Sequence, residues 1–137
     1  MASYGDLLIS TGDAESLALV VGDERRSHGF EAAAADALAE VLMDARMVPN
    51  GSLPADRVAM NSKVAYREEP GGEHRTVAVV LPGEAKASDG RISVLSPVGR
   101  ALLGRRIGSV ASISVPGGRA LNIRVLAIER SPLLEEA

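Results

Sequence analysis

The chain of 137 residues contains no cysteine and no tryptophan, and its only aromatic residues are Tyr4, Phe30 and Tyr66. Without cysteine it cannot form disulfides, thiolate zinc sites or a cysteine nucleophile. Three aromatic residues are too few for the row of stacking side chains on which single-stranded nucleic acids bind. Two histidines, His28 and His74, are too few for a multi-histidine metal cage.

Long hydrophobic runs are also missing. The longest ones, residues 17–21 and 77–81, have five residues each, whereas a membrane-spanning helix needs about 20. The first residues show no basic segment followed by an apolar stretch, so no signal peptide is predicted. We therefore expect a cytoplasmic protein that does not contact membranes, with an aliphatic core built from its 46% hydrophobic residues.

Charge is unevenly distributed along the chain. Residues 1–50 hold three basic and nine acidic residues, whereas residues 51–137 hold twelve basic and nine acidic ones. This asymmetry indicates two structural units, predicted as 1–50 and 51–137, although two ordinary solvated faces explain it as well. For five arginines of the second unit, solvated surface charge is the simplest interpretation, and attraction to an acidic partner is the alternative. These five are Arg100, Arg105, Arg106, Arg119 and Arg124.

The pattern of the first unit predicts a short antiparallel helical hairpin, in effect a truncated coiled coil. Asp13 fits the N-cap of a helix over residues 14–21. The polar segment 22–29 has a glycine at each end and is predicted to connect the helices. Residues 30–47 are rich in alanine and carry apolar side chains every three or four positions, which predicts the second helix.

In the second unit the hydrophobic period changes to the alternation that is typical of strands. Segments 110–115 and 121–128 flank a Pro-Gly-Gly turn and predict a β-hairpin. Between the strand segments, Ser96 fits an N-cap, Pro97 the first helical position and Gly104 the position just after a two-turn helix. The predicted fold is therefore α+β, with an antiparallel sheet of about five strands packed on one short helix.

Four motifs, in order, resemble the C-terminal domain of Gre-type transcription elongation factors. They are Val58-x-Met60-Asn61-Ser62-x-Val64, Pro82-Gly83-Glu84-Ala85, the segment 92–104, and Pro116-Gly117-Gly118. The Met-Asn-Ser sequence and the short chain are similar to the Rnk branch of the same superfamily, the regulators of nucleoside diphosphate kinase. The resemblance implies an FKBP-like fold for the second unit and bacterial RNA polymerase as the partner.

Gre factors dock at the rim of the polymerase secondary channel through this domain. Leu95, Ser96 and Pro97 correspond to the turn that lies at the rim, so the resemblance implies that they are docking residues. Ser96 and Pro97 are also explained by helix capping alone. The sequence offers no helix-turn-helix, zinc finger or basic recognition helix, which argues against sequence-specific DNA binding.

Gre factors also extend a long coiled coil, whose acidic tip helps to hold the magnesium ion that cleaves backtracked RNA. Asp23 and Glu24 correspond to that tip, and a solvated helix end beside two arginines is the alternative. A short hairpin would not reach the catalytic centre. We therefore expect a polymerase-binding regulator without cleavage activity, metal or cofactor.

Two other functions are compatible with the sequence. One is an active cleavage factor that uses Asp23 and Glu24. The other is a peptidyl-prolyl isomerase, which an FKBP-like fold alone would suggest but which needs aromatic walls to grip proline. Tyr66 is the only aromatic residue of the second unit. The resemblance also leaves open whether nucleoside diphosphate kinase would be regulated directly.

Overall fold

A computed structural model describes residues 7–27, 32–115 and 118–130. Two helices near the start of the chain are followed by a sheet and one short helix, which confirms the mixed helix-and-sheet prediction. The elements are β1 (Leu8–Ser10), α1 (Thr11–Ser27), α2 (Ala32–Asp44), β2 (Arg46–Val48), β3 (Lys63–Glu69), β4 (His74–Val80), β5 (Arg91–Ser93), α3 (Pro97–Leu102), β6 (Val110–Val115) and β7 (Arg119–Glu129).

The main sheet has five strands in the order β5-β4-β3-β7-β6. β3 pairs antiparallel with both β4 and β7, and β6 and β7 form the predicted antiparallel hairpin. β5 instead runs parallel to β4, so the prediction of a wholly antiparallel sheet was wrong. The connection over residues 81–90 contains two short 3-10 turns, which carry the chain back along β4 before β5 begins. The FKBP-like description stays a prediction.

The two hairpin helices have different bounds from those predicted. α1 begins at Thr11 and continues through Gly22 to Ser27, and α2 ends at Asp44. A glycine within a helix costs only about 1 kcal/mol. The longer α1 brings Arg25 within 2.8 Å of Asp36 on α2. In the described part of the chain, no helix combines the length and the apolar character that crossing a bilayer requires.

A two-stranded parallel sheet at the base of the hairpin was not predicted. β1 pairs with β2 from Leu8 opposite Arg46 to Ser10 opposite Val48. Because β1 leads directly into α1 and β2 follows α2, this strand pair joins the two ends of the hairpin. Leu7 and Ile9 point into the core and are 2% and 1% exposed.

One continuous aliphatic core runs through the hairpin and the main sheet. The hairpin contributes residues such as Leu17 and Leu38, and the rest of the chain contributes residues such as Val64, Leu102 and Ile123. All five side chains are fully buried. This core extends across the predicted boundary between residues 1–50 and 51–137. The division of the chain into those two units stays a prediction.

The N-terminus of α1 is capped by residues other than Asp13, so the N-cap prediction for Asp13 was wrong. The Ser10 hydroxyl oxygen accepts a hydrogen bond from the backbone N–H of Asp13 at 3.2 Å. The side-chain oxygen of Asn50 accepts one from the N–H of Gly12 at 2.8 Å. These bonds satisfy exposed amides of the first turn and connect it to the chain that follows β2.

Asp13 instead connects the hairpin to the segment that precedes β3. Its carboxylate accepts a hydrogen bond from the backbone N–H of Met60 at 3.1 Å. Burial raises the pKa of Asp13 above its ordinary value of 3.8, and it outweighs the Met60 hydrogen bond and the attraction of Arg130, which both lower it. The carboxylate therefore stabilises the folded chain as a hydrogen-bond acceptor, while its charge is partly desolvated.

Replacing Asp13 separates these two effects. Asp13→Ala leaves the Met60 N–H without its acceptor, and we expect a loss of about 1–3 kcal/mol in the free energy of unfolding. Asp13→Asn keeps an oxygen acceptor and removes the desolvated charge, so at pH 7 it is expected to be at least as stable as the unchanged chain. Urea denaturation of the three proteins at pH 7 measures both differences.

The pH dependence provides a control for the Asp13 prediction. Because the folded-state pKa is raised, the folded chain binds the proton more tightly, and Asp13 lowers stability as pH rises from the unfolded towards the folded pKa. The advantage of Asp13→Asn should therefore shrink as pH falls below this window. An advantage that is the same at pH 3 and pH 7 would contradict a role for the buried charge.

Candidate functional site

The turn that leads into α3, residues 93–97, has the capping geometry predicted from the sequence. The Ser96 hydroxyl oxygen accepts a hydrogen bond from the N–H of Gly99 at 3.1 Å. The same hydroxyl donates to the backbone oxygen of Ser93 at 2.7 Å. Pro97 occupies the first helical position, and Gly104, just after the helix, has a φ of +77°. These three predicted roles are confirmed.

Leu95 does not belong to the surface of this turn, contrary to its predicted place among the docking residues. Its side chain is 1% exposed and is part of the core. Its backbone is held on both sides, since its N–H donates to the Ser93 hydroxyl at 3.0 Å and its carbonyl accepts from the Arg100 guanidinium. Pro97 is exposed and Ser96 is half-buried, so these two residues present the turn to solvent.

Gly99 shapes the turn, a role that was not predicted from the sequence. A Cβ atom at this position would lie 2.2 Å from the backbone oxygen of Ser93, far inside van der Waals contact. The close approach allows the Ser93 carbonyl to receive bonds from the N–H and the hydroxyl of Ser96. The sequence did contain a signal, namely a glycine inside a helix that already has a good N-cap. Glycine lowers the stability of a helix, so its presence there indicates a structural requirement.

Two grooves lie on either side of Pro97. The larger one, which we call the α3 groove, has a volume of about 480 Å³ and includes Tyr66, Ile92 and Val98 in its lining. The smaller one, of about 240 Å³, lies between α2 and α3. Pro97 lines both. The result is an exposed ridge flanked by concave surfaces, which is suited to contact with another macromolecule.

The α3 groove has little that could support catalysis. Among the described residues that line it, the titratable side chains are Tyr66 and Arg91, and burial raises the pKa of Tyr66 above its ordinary value. Neither is a base that is active near neutral pH. In residues 7–27, 32–115 and 118–130, no group of three histidine, aspartate or glutamate side chains is placed to hold a metal ion.

The predicted tip carboxylates, Asp23 and Glu24, lie within α1 and not in a connecting loop. Because α1 continues to Ser27, the predicted loop over 22–29 was wrong for residues 22–27. The rest of that prediction, residues 28 and 29, lies outside the described residues. Asp23 forms an ion pair with Arg26, one turn further along α1. The adjacent guanidinium offsets the negative charge that a divalent cation would require.

Three comparisons with known proteins agree. Residues 53–130 match the family described as transcription elongation factor GreA/GreB, C-terminal. The regulator of nucleoside diphosphate kinase of Escherichia coli (strain K12) is 41% identical over 98 residues, which cover 72% of this chain and 72% of that protein. Transcription elongation factor GreA of Flavobacterium johnsoniae is 36% identical over 93 residues, which cover 68% of this chain and 58% of that protein.

The solved structure of a prokaryotic transcription elongation factor GreA/GreB from Nitrosomonas europaea is also similar. It matches with a TM-score of 0.70 and 32% sequence identity, over 90% of this chain and 98% of that one. The similarity therefore extends beyond the residues of the family match and includes most of the hairpin.

The close contact at Gly99 predicts a strong effect of one added methyl group. Gly99→Ala should lower the free energy of unfolding by about 2–3 kcal/mol, because the new Cβ meets backbone that cannot rotate away. Gly83→Ala is the matched control, since a Cβ there has no neighbour within 4 Å; it should change stability by less than about 0.5 kcal/mol. Equal effects in thermal or urea denaturation would show that the Ser93 contact is not the cause.

Proposed function

The chain belongs to the family of GreA/GreB transcription elongation factor C-terminal domains, and from this we propose that it regulates transcription by binding bacterial RNA polymerase at the rim of the secondary channel. The observation that carries the proposal is the capped turn at Ser96 and Pro97, which keeps in this chain the motif that Gre factors place at the rim. In this proposal the protein does not stimulate transcript cleavage.

The geometry around α3 supports docking through this face. Pro97 is exposed between two grooves, and the backbone on which it stands is fixed by the bonds of Ser93, Ser96 and Gly99. A contact surface that is already ordered loses less conformational entropy on binding than a mobile one does. Ile92 and Val98 give the α3 groove an apolar wall that a partner side chain could cover.

The hairpin supports the absence of cleavage activity. α1 has 17 residues and α2 has 13, so the longer helix spans about 25 Å at 1.5 Å per residue. An arm of this length is short for reaching from the rim of the channel to its catalytic end. The Asp23–Arg26 ion pair further reduces the negative charge available to a magnesium ion.

The alternatives have less support. Cleavage through Asp23 and Glu24 has only the adjacency of two carboxylates in its favour. Proline isomerisation would need a groove with aromatic walls. Among the described residues that line the α3 groove, Tyr66 is the one aromatic side chain, and it is only 6% exposed. The name of the Escherichia coli relative raises a third possibility, direct contact with nucleoside diphosphate kinase. A binding experiment that includes the kinase tests it.

Binding to polymerase is tested with purified components. The chain should form a complex with core RNA polymerase, and a full-length Gre factor should displace it. Pro97→Glu should weaken binding by at least about tenfold, the effect expected when a charge enters an apolar contact. The variant should stay folded, because an acidic residue is favourable in the first turn of a helix.

Ala55→Glu is the matched control, since Ala55 is exposed and does not line the α3 groove. It adds the same charge and should bind polymerase as the unchanged chain does. If the two variants bind equally well, the α3 face is not the docking site. If the chain binds nucleoside diphosphate kinase and not polymerase, the proposed function itself is wrong.

Transcript cleavage is tested separately on backtracked elongation complexes. The chain should leave the cleavage rate unchanged at concentrations that saturate binding, and it should slow cleavage by a Gre factor added to the same reaction. Acceleration of cleavage that disappears in Asp23→Ala would establish the alternative function. A proline-isomerisation assay on a tetrapeptide, with an FKBP as the positive control, should show no activity.

A further inference from the structure

Strand β6 forms one edge of the main sheet, and its neighbour β7 takes up only half of its main-chain groups. The N–H of Val125 donates to the backbone oxygen of Ser109 at 3.0 Å, and the antiparallel pairing continues in this register through β6. Because main-chain groups alternate in direction along a strand, those at the odd-numbered positions face β7. Those that point away from the sheet belong to Val110, Ser112 and Ser114.

These outward groups have no main-chain partner in the described part of the chain. No hydrogen bond from residues 7–27, 32–115 or 118–130 reaches the outward N–H or C=O of β6. The opposite edge of the sheet differs, since Lys86 and Arg91 exchange two main-chain hydrogen bonds, of 2.9 and 3.1 Å, and so cover β5. The β6 sequence, Val-Ala-Ser-Ile-Ser-Val, also lacks the charged residues and prolines that protect exposed edges.

The space beside the β6 edge is open and ordered. Ser112 and Ile113 line the smaller groove, of about 240 Å³, which α2 and α3 bound on its far side. A strand added to β6 would direct every second side chain towards this groove. Val110 is 40% exposed although it is large and apolar. An antiparallel bridge between Arg57 and Arg106 anchors the chain that leads into β6.

We propose that β6 pairs antiparallel with β6 of a second copy of this chain, around a two-fold axis at Ser112. In this register Ser112 lies opposite its own counterpart, and Val110 lies opposite Ser114 of the other copy. Each of the opposed pairs exchanges two hydrogen bonds, which uses every outward N–H and C=O of both strands. The two five-stranded sheets become one continuous sheet.

The chemistry of β6 favours a second copy as the occupant of this edge. The strand has no charged side chain, so pairing with itself places no like charges opposite each other. On the core side, the small Ala111 lies opposite the larger Ile113 of the other copy. Because the β5 edge is covered, the assembly closes as a two-fold dimer and does not continue into a fibre.

The contact involves one strand from each copy. It is therefore smaller than a standard protein interface, which buries about 800 Å² per partner. We expect a weak dimer, whose population depends on the protein concentration.

Sedimentation equilibrium of the full chain, between about 10 μM and 1 mM, tests the proposal in the range of weak complexes. The mass should rise with concentration from that of one chain towards that of two. Ser112→Lys places two positive charges opposite each other at the two-fold axis and should raise the dimer Kd at least about tenfold. The variant should stay folded, because Ser112 is exposed.

Thr76→Lys is the matched control. Thr76 is exposed on β4, which has neighbours on both sides in the sheet and is not an edge. The variant adds the same charge, and it should leave the dimer Kd within about twofold, as expected for a surface charge far from the contact. Circular dichroism checks that both variants are folded.

Hydrogen exchange identifies the surface through which the copies pair. The amide protons of Val110, Ser112 and Ser114 should exchange rapidly in the monomer and become protected as the concentration rises. Those of Ala111 and Ile113 should be protected at every concentration, because they face β7. This alternation within one strand distinguishes edge pairing from contact through another face.

Three results would overturn the proposal. The chain could stay monomeric up to about 1 mM, it could dimerise without protecting the outward amides of β6, or Ser112→Lys and Thr76→Lys could dimerise equally well. Protection of the outward amides only after core RNA polymerase is added would also contradict pairing with a second copy, and it would assign the edge to an extended segment of the polymerase.

Discussion

Leu17 of α1 and Leu38 of α2 belong to the same buried cluster as Leu102 of α3 and Val64 of β3, and the arrangement of the whole molecule depends on this packing. Helices of 17 and 13 residues are close to the length at which isolated helices are marginal in water. The hairpin is therefore stable because the core covers its inner face. The same packing, helped by the Asp13–Met60 hydrogen bond, fixes the direction in which the hairpin projects from the sheet.

The face around Pro97 owes its order to a few hydrogen bonds between side chains and the backbone. Ser93 and Ser96 bind each other and the first turn of α3, while the carbonyl of Leu95 accepts from Arg100. Within the described turn 93–97, Pro97 is exposed and Ser96 is half-buried, whereas Leu95 is buried. A motif that appears in sequence as a row of docking residues is thus divided in the structure between residues that hold the turn and residues that face outward.

Those features of the fold and the site that depend on neighbouring residues in the chain could be predicted from the sequence. The roles of Ser96, Pro97 and Gly104 follow from capping preferences within one short helix, and the resemblance to Gre factors is confirmed. The β1–β2 pair could not be predicted, because each strand has three residues and the pairing joins positions far apart in sequence. The burial of Leu95 and the bridge between Arg57 and Arg106 likewise depend on tertiary contacts that no local pattern reports.

The strand pair at the base of the hairpin has a consequence for how such proteins can diversify. β1 and β2 hold the residues just before α1 and those just after α2 in a fixed register, so the base of the hairpin is defined independently of its far end. Equal numbers of helical turns could be added to α1 and α2 between residues 27 and 32 without disturbing the β1–β2 pair, the core or the main sheet. The length of the hairpin can then vary, in evolution or by design, while the rest of the fold stays the same.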